Sequence, residues 1–323
     1  MSLKLSYLCL TFALLLALAC SDDTDAAADA GITPADKSAP TPDKTVTPDK
    51  GKLTSLKVGA VQYGGGTYTT VPSCFDDLCG LTHYIKEAAK NDALVVTTPE
   101  YALGAYQKTY EPAPKIGDMP ATAAAYKDTK ITRALAKLAD DENITLTFNV
   151  QTQDSAGKYN TLIAVDDAGK VVAFHHKFQL FGNEAGALTP GKSNKESFFD
   201  TPAGKTGLLI CADVQCIING MNVNSDCTAH AKTMLMEYFN TYKPEVVLFS
   251  AYWTVGPTNG SKMWWALTVQ ETVAKQGKAW VVASNTTNGA GKGGGIYKPG
   301  GAIVKQTEAS TPSVIYAELP LKK

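Results

Sequence analysis

Hydrophobic and polar positions divide the chain from about residue 53 onward into short segments that switch between strand-like and helix-like spacing. Apolar, β-branched runs that end at turn residues predict strands at 56–64, 93–101, 144–152, 207–214, 245–253 and 279–287. Apolar residues that recur roughly every three to four positions predict helices at 74–92, 130–143, 227–242 and 263–277. Segment 158–177 predicts a hairpin that turns at 166–169.

The order of these elements indicates the fold class. Strands and helices alternate, but hairpins interrupt the alternation, which predicts a layered α/β domain with a mixed sheet or a pair of sheets. Residues 53–323 contain no stretch of linker composition, so they are predicted to form one domain. Several of the strands end in a polar or reactive residue followed by a loop, which is where α/β folds usually place ligand sites.

The N-terminal segment has a different composition. Residues 1–20 read MSLKLSYLCLTFALLLALAC, a short apolar run with one lysine before it and small residues at its end. Residues 16–20 resemble a bacterial lipobox, which predicts a lipoprotein signal peptide at 1–19 and a lipid on Cys20. An ordinary cleaved signal peptide is the alternative. Residues 20–52 are rich in Asp, Ala, Pro, Thr and Lys without an aromatic residue, which predicts a disordered tether.

This reading implies a location. A lipid on Cys20 would anchor the protein to a membrane of the bacterial cell envelope, with the folded domain in the periplasm or at the cell surface. Ser21 stands where an inner-membrane lipoprotein would carry a retention aspartate, which favours the outer membrane.

Charge and histidine content exclude two classes of function. The chain has 30 Lys and Arg against 31 Asp and Glu, without a basic cluster interleaved with aromatic residues, so nucleic-acid binding is not expected. It has 4 histidines and no H-x-x-x-H spacing. His175 and His176 are adjacent and would point to opposite faces of a strand. A catalytic metal is therefore not expected.

Cysteine content points to one unusual thiol. Of the 7 cysteines, Cys9 would leave with the signal peptide and Cys20 would carry the lipid. An odd number then remains in an oxidising compartment, so one thiol stays free if the others pair.

Three segments carry residues suited to catalysis. Glu100 follows an apolar strand in TTPEYA, where burial would raise its pKa and suit it to act as a base; a solvated glutamate is the alternative. Lys177 in AFHHKFQLFGNE could donate to an oxyanion or be a surface lysine. Cys211 in GLLICADV could be a nucleophile, a core residue, half of a disulfide or a metal ligand.

Together the three segments resemble the nitrilase superfamily of carbon–nitrogen hydrolases, whose signature is a Glu, a Lys and a Cys in that chain order at strand ends. AVQ at 60–62 resembles the first strand of that family, and the similarity runs from about Leu56 to Leu319. Within the superfamily the chain looks most similar to the vanin and biotinidase branch, in which a second glutamate follows the lysine segment, here Glu184. The resemblance implies a four-layer α-β-β-α sandwich with a single catalytic domain.

The resemblance also implies a mechanism. Glu100 would act as the base, Cys211 would form a thioester, and the Lys177 ammonium with the Ala212 backbone N–H would hold the oxyanion. Glu184 would orient Lys177 or the substrate amide, and no cofactor would be needed. Ala212 stands where the family usually has a bulky residue, which affects the expected pocket size. Candidates to line the pocket are Tyr101, Tyr252 and Trp253, with core packing as the alternative.

These expectations define the predicted function. The protein would be a thiol amidase that acts on a small non-peptide amide, with pantetheine-like and biotinyl amides as candidate substrates. Two other classes stay open: an N-acyltransferase that uses the same thioester, and a non-catalytic surface-binding lipoprotein. Members of the superfamily commonly dimerise, so a homodimer is expected.

With Cys211 assigned as the nucleophile, four cysteines are left for two disulfides, with a zinc site as the less favoured alternative. The local pairing would join Cys74 to Cys79 and Cys216 to Cys227.

Overall fold

The computed structural model describes residues 53–64, 78–103, 110–216, 227–253, 265–287, 294–307 and 311–322. These residues all belong to one compact unit that spans Val46–Lys323. The predicted signal peptide, the tether, Cys20 and Cys74 lie outside the described residues, as do the side chains of Cys79 and Cys216. Across the described part of the chain, no helix has the length and apolar character needed to cross a membrane.

The strands and helices are as follows. The strands are β1 (Ser55–Gln62), β2 (Val95–Thr97), β3 (Glu111–Pro112), β4 (Thr145–Gln153), β5 (Lys158–Val165), β6 (Val171–His176), β7 (Phe198–Thr201), β8 (Gly204–Ile210), β9 (Val246–Ser250), β10 (Trp280–Ser284), β11 (Gly295–Tyr297), β12 (Ile303–Gln306) and β13 (Ser313–Pro320). The α-helices are α1 (Leu81–Lys90), α2 (Ile131–Glu142), α3 (Glu184–Ala187) and α4 (Ala229–Glu237). Tyr238–Tyr242 and Ala266–Gln276 are π-helical, and Leu78–Gly80, Ala124–Tyr126 and Cys211–Cys216 are 3₁₀-helical.

The strands form two mixed sheets, and both have parallel strands at the centre. The first has the order β13-β1-β2-β4-β5-β6, with β3 also paired to β4, and the second has the order β12-β11-β10-β9-β8-β7. In the first sheet β1, β2 and β4 run parallel; in the second, β8, β9 and β10 do. Antiparallel strands flank both centres. In α/β folds, ligand sites usually lie at the carboxyl ends of the parallel strands. Each sheet has such an edge at its centre.

Alternating side chains divide the core into layers, because successive residues of a strand point to opposite faces. Val58 and Ala60 of β1 join Leu248 of β9 in the core between the sheets. Val61 of β1 faces the other way and joins Ile85 of α1 in a second core, with α2 packed beside it. Helix α4 and the helix Ala266–Gln276 contribute buried side chains to the core of the second sheet. The expected α-β-β-α sandwich with a single domain is confirmed.

Most predicted elements are present with shifted ends. The strand predicted at 93–101 ends at Thr97, because Pro99 cannot donate to a ladder. The strand predicted at 207–214 ends at Ile210, because Cys211 has a φ of 41° and the chain turns there. The helix predicted at 263–277 is π-helical over Ala266–Gln276. Strands β3, β7, β11, β12 and β13 were not predicted.

Candidate active site

The two sheets bring three strand ends together at the candidate site. Glu100 follows β2, Lys177 follows β6 and Cys211 follows β8 directly. Hydroxyl groups at the ends of the second sheet's strands fasten this edge to the first sheet. Ser250 Oγ donates to the Thr98 carbonyl at 2.8 Å, and a serine at the end of β10 donates to the neighbouring Thr97 carbonyl at 2.7 Å. The sheets therefore hold their strand ends in fixed register around the candidate site.

A buried lysine joins two carboxylates at this edge. Lys177 Nζ donates to Glu100 Oε1 at 2.7 Å and to Glu184 Oε2 at 2.8 Å. All three side chains are almost fully buried, with 1–3% of each residue exposed. One cation buried between two anions is a charge arrangement that a fold keeps only with close pairing.

The two carboxylates have opposite pKa shifts. Burial raises the pKa of Glu100 above its ordinary value, and the Lys177 ammonium offsets only part of this effect. Burial also acts to raise the pKa of Glu184, but the Lys177 charge and hydrogen bonds from Lys177, Tyr101 and Phe181 outweigh it, so that pKa is lowered. Glu184 therefore stays ionised, and Glu100 is the carboxylate more readily protonated.

The pKa of Lys177 is raised well above its ordinary value. Burial alone would lower it, but electrostatic attraction to Glu100, to Cys211 in its thiolate form and to Glu184 outweighs the burial. The raised pKa keeps the ammonium protonated, which suits it to stabilise an oxyanion.

An asparagine that the sequence analysis missed links the two carboxylates. Asn160 Nδ2 lies 2.8 Å from Glu100 Oε1, 2.8 Å from Glu184 Oε1 and 3.0 Å from the Tyr101 hydroxyl. Asn149 Nδ2 donates to Asn160 Oδ1 at 2.6 Å and so fixes the orientation of that amide. The strand KYNTLIAV gives no clear signal for this residue, because its lysine and threonine are polar as well.

Cys211 occupies a sharp turn after β8. Its φ of 41° is in the left-handed region, which is unusual for a residue other than glycine and marks a strained position. Its thiol is free and buried, forms a hydrogen bond with Glu100, and receives one from the Tyr252 backbone N–H. The same N–H donates to Glu100 Oε2 at 2.9 Å. The turn therefore directs the sulfur at the carboxylate.

The pKa of the Cys211 thiol is raised well above its ordinary value. Burial is the largest cause, the Glu100 charge adds to it, and Lys177 opposes both. The resting thiol is therefore protonated and needs a base at the moment of attack. Glu100 is in hydrogen-bonding contact with that proton.

The aromatic candidates have different surroundings. The Tyr101 hydroxyl donates to Glu184, and the rings of Tyr101 and Tyr252 meet edge to face with centroids 6.3 Å apart. The Trp253 ring packs against Trp265 at 4.7 Å, and its backbone N–H donates to Asn285. The first two lie against the charged cluster and the third packs as a core residue does. Their role in lining a pocket stays a prediction.

The other predicted site residues have these outcomes. Ala212 is fully buried behind Cys211, and the oxyanion role of its N–H stays a prediction. Cys227 is disulfide-bonded, and its pairing with Cys216 stays a prediction. Among the described residues, no three His, Cys, Asp or Glu side chains form a group that could hold a metal ion.

Comparison with known proteins identifies the family. A sequence model described as carbon-nitrogen hydrolase matches residues 58–323. The omega-amidase NIT2 of Mus musculus is 33% identical over 152 residues, which cover 43% of this chain and 50% of that protein. The pantetheinase of Bos taurus is 28% identical over 152 residues, 40% of this chain and 30% of that protein. The chain thus aligns with half or less of the length of these curated relatives.

A solved structure supports the fold. A mutant of the amidase from Nesterenkonia sp. AN1, whose active-site cysteine carries the acetamide moiety of fluoroacetamide, aligns with a TM-score of 0.60. The identity is 16%, and the alignment covers 83% of this chain and 91% of that chain. The match over residues 58–323 shows that the chain belongs to the carbon–nitrogen hydrolase family.

Proposed function

We propose that this member of the carbon–nitrogen hydrolase family is a thiol amidase that cleaves a small, non-peptide amide through a thioester on Cys211. One observation carries the proposal: a free, buried thiol in a strained turn faces Glu100, whose carboxylate shares Lys177 with Glu184. A nucleophile, a base and a fixed cation are the three parts that acyl transfer needs.

The first half-reaction forms the thioester. Glu100 takes the thiol proton as Cys211 sulfur attacks the amide carbonyl carbon and the carbonyl π electrons move to oxygen. The Lys177 ammonium and the Ala212 backbone N–H stabilise the resulting oxyanion. The oxyanion then re-forms the carbonyl, the C–N bond breaks, and Glu100 returns the proton to the departing nitrogen. An amine leaves and the acyl group stays on sulfur.

The second half-reaction regenerates the thiol. Glu100 takes a proton from water as the water oxygen attacks the thioester, and the same two donors hold the second oxyanion. The C–S bond breaks, the proton returns to sulfur, and a carboxylic acid leaves. Glu100 therefore changes protonation state in both halves, which suits the carboxylate whose pKa is raised rather than the one whose pKa is lowered.

Similarity to relatives suggests the substrate class. The chain resembles proteins named omega-amidase and pantetheinase, so small amides of the carboxamide and pantetheine types are the first candidates, with biotinyl amides beside them. We further propose that residues 1–20 direct export and that a lipid on Cys20 holds the enzyme in a bacterial cell envelope. A homodimer is proposed on family resemblance alone.

Intact-mass spectrometry of the purified protein tests the chemistry. Wild type and Cys211→Ala are each incubated with a panel of carboxamides, pantetheine and biotinyl amides. We expect an acyl adduct on the wild type, mapped to Cys211, and none on the variant, which should fold normally. Turnover by Cys211→Ala would overturn the proposal. Absence of any adduct together with an oxidised Cys211 would favour the binding lipoprotein.

A second readout distinguishes the two catalytic classes. Added amine competes with water for the thioester, and the products are separated as acid or new amide. A dominant acid product is expected. A dominant new amide would instead identify an N-acyltransferase with the same Cys211 chemistry.

A further inference from the structure

A third buried carboxylate, Asp213, lies two residues after the candidate nucleophile and is only 1% exposed. Its Oδ1 accepts hydrogen bonds from the backbone N–H groups of Phe178 at 2.8 Å and Gln179 at 2.9 Å. Its Oδ2 accepts from the Ile210 N–H at 3.0 Å and lies 2.8 Å from His175 Nε2. These four donors match the roughly four hydrogen bonds that the two oxygens of a carboxylate can accept.

The groups that donate to Asp213 come from the chain segments around Lys177 and Cys211. His175 precedes Lys177, and Phe178 follows it, so the carboxylate holds the lysine segment on both flanks. Ile210 directly precedes Cys211, and Asp213 follows it. One carboxylate thus joins the backbone around the oxyanion donor to the backbone around the thiol. No hydrogen bond within the described residues joins Asp213 to Lys177, Cys211 or Glu100 themselves.

The bond to Ile210 also spans the strained turn. The carboxylate of Asp213 reaches back over Cys211, whose φ of 41° a residue other than glycine rarely adopts. A strained conformation persists only where its surroundings fix it. The bond across the turn is one such constraint, because it closes the chain on either side of the cysteine.

The imidazole of His175 forms a hydrogen bond with the same carboxylate. A carboxylate only accepts, so the proton lies on His175 Nε2 and is donated to Asp213. Nδ1 of the ring lies 3.0 Å from Ser197 Oγ, and the ring meets Phe178 edge to face at 4.4 Å. Histidine, serine and aspartate are each at most 1% exposed. The ring is therefore fixed on three sides.

We propose that Asp213 is a positioning residue for the Cys211–Lys177 pair, with His175 as its support. The inference rests on the proposed function and deepens it: the carboxylate sets where the oxyanion donor stands relative to the sulfur. Loss of this alignment reduces the rate of the chemical step and leaves substrate affinity largely unchanged. A misplacement of about 1 Å in an active site costs about 100-fold in rate.

Asp213→Asn is the first test, with Glu111→Gln as the matched control. Asparagine keeps an acceptor for Phe178 and Gln179 but directs an NH₂ group at the Ile210 N–H. Glu111 is also a buried carboxylate with backbone N–H donors, and it lies at the start of α2. We expect kcat to fall about 100-fold in Asp213→Asn with little change in KM, and to stay at the wild-type value in the control.

Two variants of His175 keep the proposal testable if Asp213→Asn does not fold. Glutamine places an amide N–H where the imidazole Nε2–H was, and leucine fills similar space without a donor. We expect His175→Gln to retain most of kcat and His175→Leu to lose it, with both compared at equal folded fraction. Equal kcat in the two variants would show that the ring only fills space, and would overturn the proposal.

Alkylation of Cys211 by 2-chloroacetamide gives a readout that needs no turnover. The reagent presents a carboxamide next to an electrophilic carbon, so adduct formation read by intact mass depends on thiol and lysine alignment. We expect a slower reaction in Asp213→Asn and His175→Leu than in wild type and Glu111→Gln. Equal or faster labelling in the first two would overturn the positioning role, whereas failure of every amide to turn over in wild type would overturn the proposed function alone.

Discussion

Two buried glutamates, Glu100 just after β2 and Glu111 at the start of β3, have different surroundings. Glu111 is 8% exposed and accepts hydrogen bonds from the Ile131 N–H at 2.8 Å, the Thr132 N–H at 2.9 Å and the Thr132 hydroxyl. These are groups at the start of α2, where backbone N–H donors lack partners within the helix and favour a negative charge. Glu111 thus caps a helix from a distant part of the chain.

Glu100 is also buried but has partners of another kind. Besides the Tyr252 N–H and the Asn160 amide, its partners are the Lys177 ammonium and the Cys211 thiol, and the Glu184 charge lies nearby. Several of these groups carry a charge or can give up a proton, whereas the described donors to Glu111 are amide and hydroxyl groups. The contrast teaches that the partners of a buried carboxylate, and not its burial, separate the structural role of Glu111 from the catalytic role proposed for Glu100.

Glu100→Gln should have the largest effect on activity. The amide keeps the size of the side chain but cannot take the thiol proton, and general acid–base catalysis contributes about 10²–10⁴-fold. We expect kcat/KM for the amide that acylates Cys211 to fall by that amount while the near-UV circular dichroism spectrum stays unchanged. Activity within tenfold of wild type would remove Glu100 from the role of base.

Lys177→Met should affect both activity and stability. Loss of an oxyanion donor costs about 100-fold or more in kcat. It also leaves Glu100 and Glu184 buried without their cation, and breaking a buried ion pair costs about 3–5 kcal/mol of unfolding free energy.

The pH dependence of this loss has a definite sign. Without the cation, the folded-state pKa values of the two carboxyls rise above their unfolded values. Stability is then retained below the unfolded pKa near 4.5 and lost as pH rises. Urea unfolding of Lys177→Met at pH 5 and pH 7 measures this, with Lys137→Met, an exposed lysine paired to Asp141, as control. Equal losses of unfolding free energy in Lys177→Met and Lys137→Met would contradict the prediction that Lys177 neutralises two buried carboxylates.

Glu184→Gln should have a smaller effect on kcat and a distinctive effect on pH dependence. A hydrogen bond to a charged group is worth about 1.5–3 kcal/mol, so a loss of about tenfold or more is expected. The negative charge of Glu184 raises the pKa of Glu100, so its removal should move the acid limb of kcat/KM to lower pH. A pH–rate profile checks this direction, and a shift to higher pH would contradict it.

Glu111→Gln should leave catalysis intact and lower stability alone. The amide replaces one acceptor with a donor at the start of α2 and leaves an N–H group without a partner, which costs about 1–3 kcal/mol. Urea unfolding measures the loss, and kcat is normalised to folded protein. A reduced kcat per folded molecule would mean that the two glutamates are not separate in function.

The sequence indicated the candidate catalytic residues, which the structure brings together, better than the residues that position them. Glu100, Lys177 and Cys211 each follow an apolar strand, and this position gave a local signal. Asn160 and Asp213 gave none, because most of their partners lie far away in the chain. Asn160 contacts Glu100 from 60 positions along the chain, and Asp213 contacts Phe178 from 35.

The fold was predictable in its centre and less so at its edges. Strands β3, β7, β11 and β12 have two to four residues, too few for a periodic pattern. Strand β13 is longer, and its buried residues Ile315, Ala317 and Leu319 alternate with more exposed ones, a pattern that could have predicted it. The turn at Cys211 could not be predicted, since apolar spacing carries no information about a positive φ.

The serine hydrogen bonds between the sheets bear on how the chain folds. Ser250 and Ser284 reach carbonyl groups 152 and 187 positions earlier in the chain. Contacts of such sequence separation form slowly, because the entropy of closing a long loop must be lost before they stabilise anything. Each sheet could form its own ladders first, but Glu100 meets Cys211 only after the sheets dock. The time at which refolding protein regains the proposed amidase activity would therefore report sheet docking. We expect this recovery to come later than the return of the far-UV circular dichroism signal.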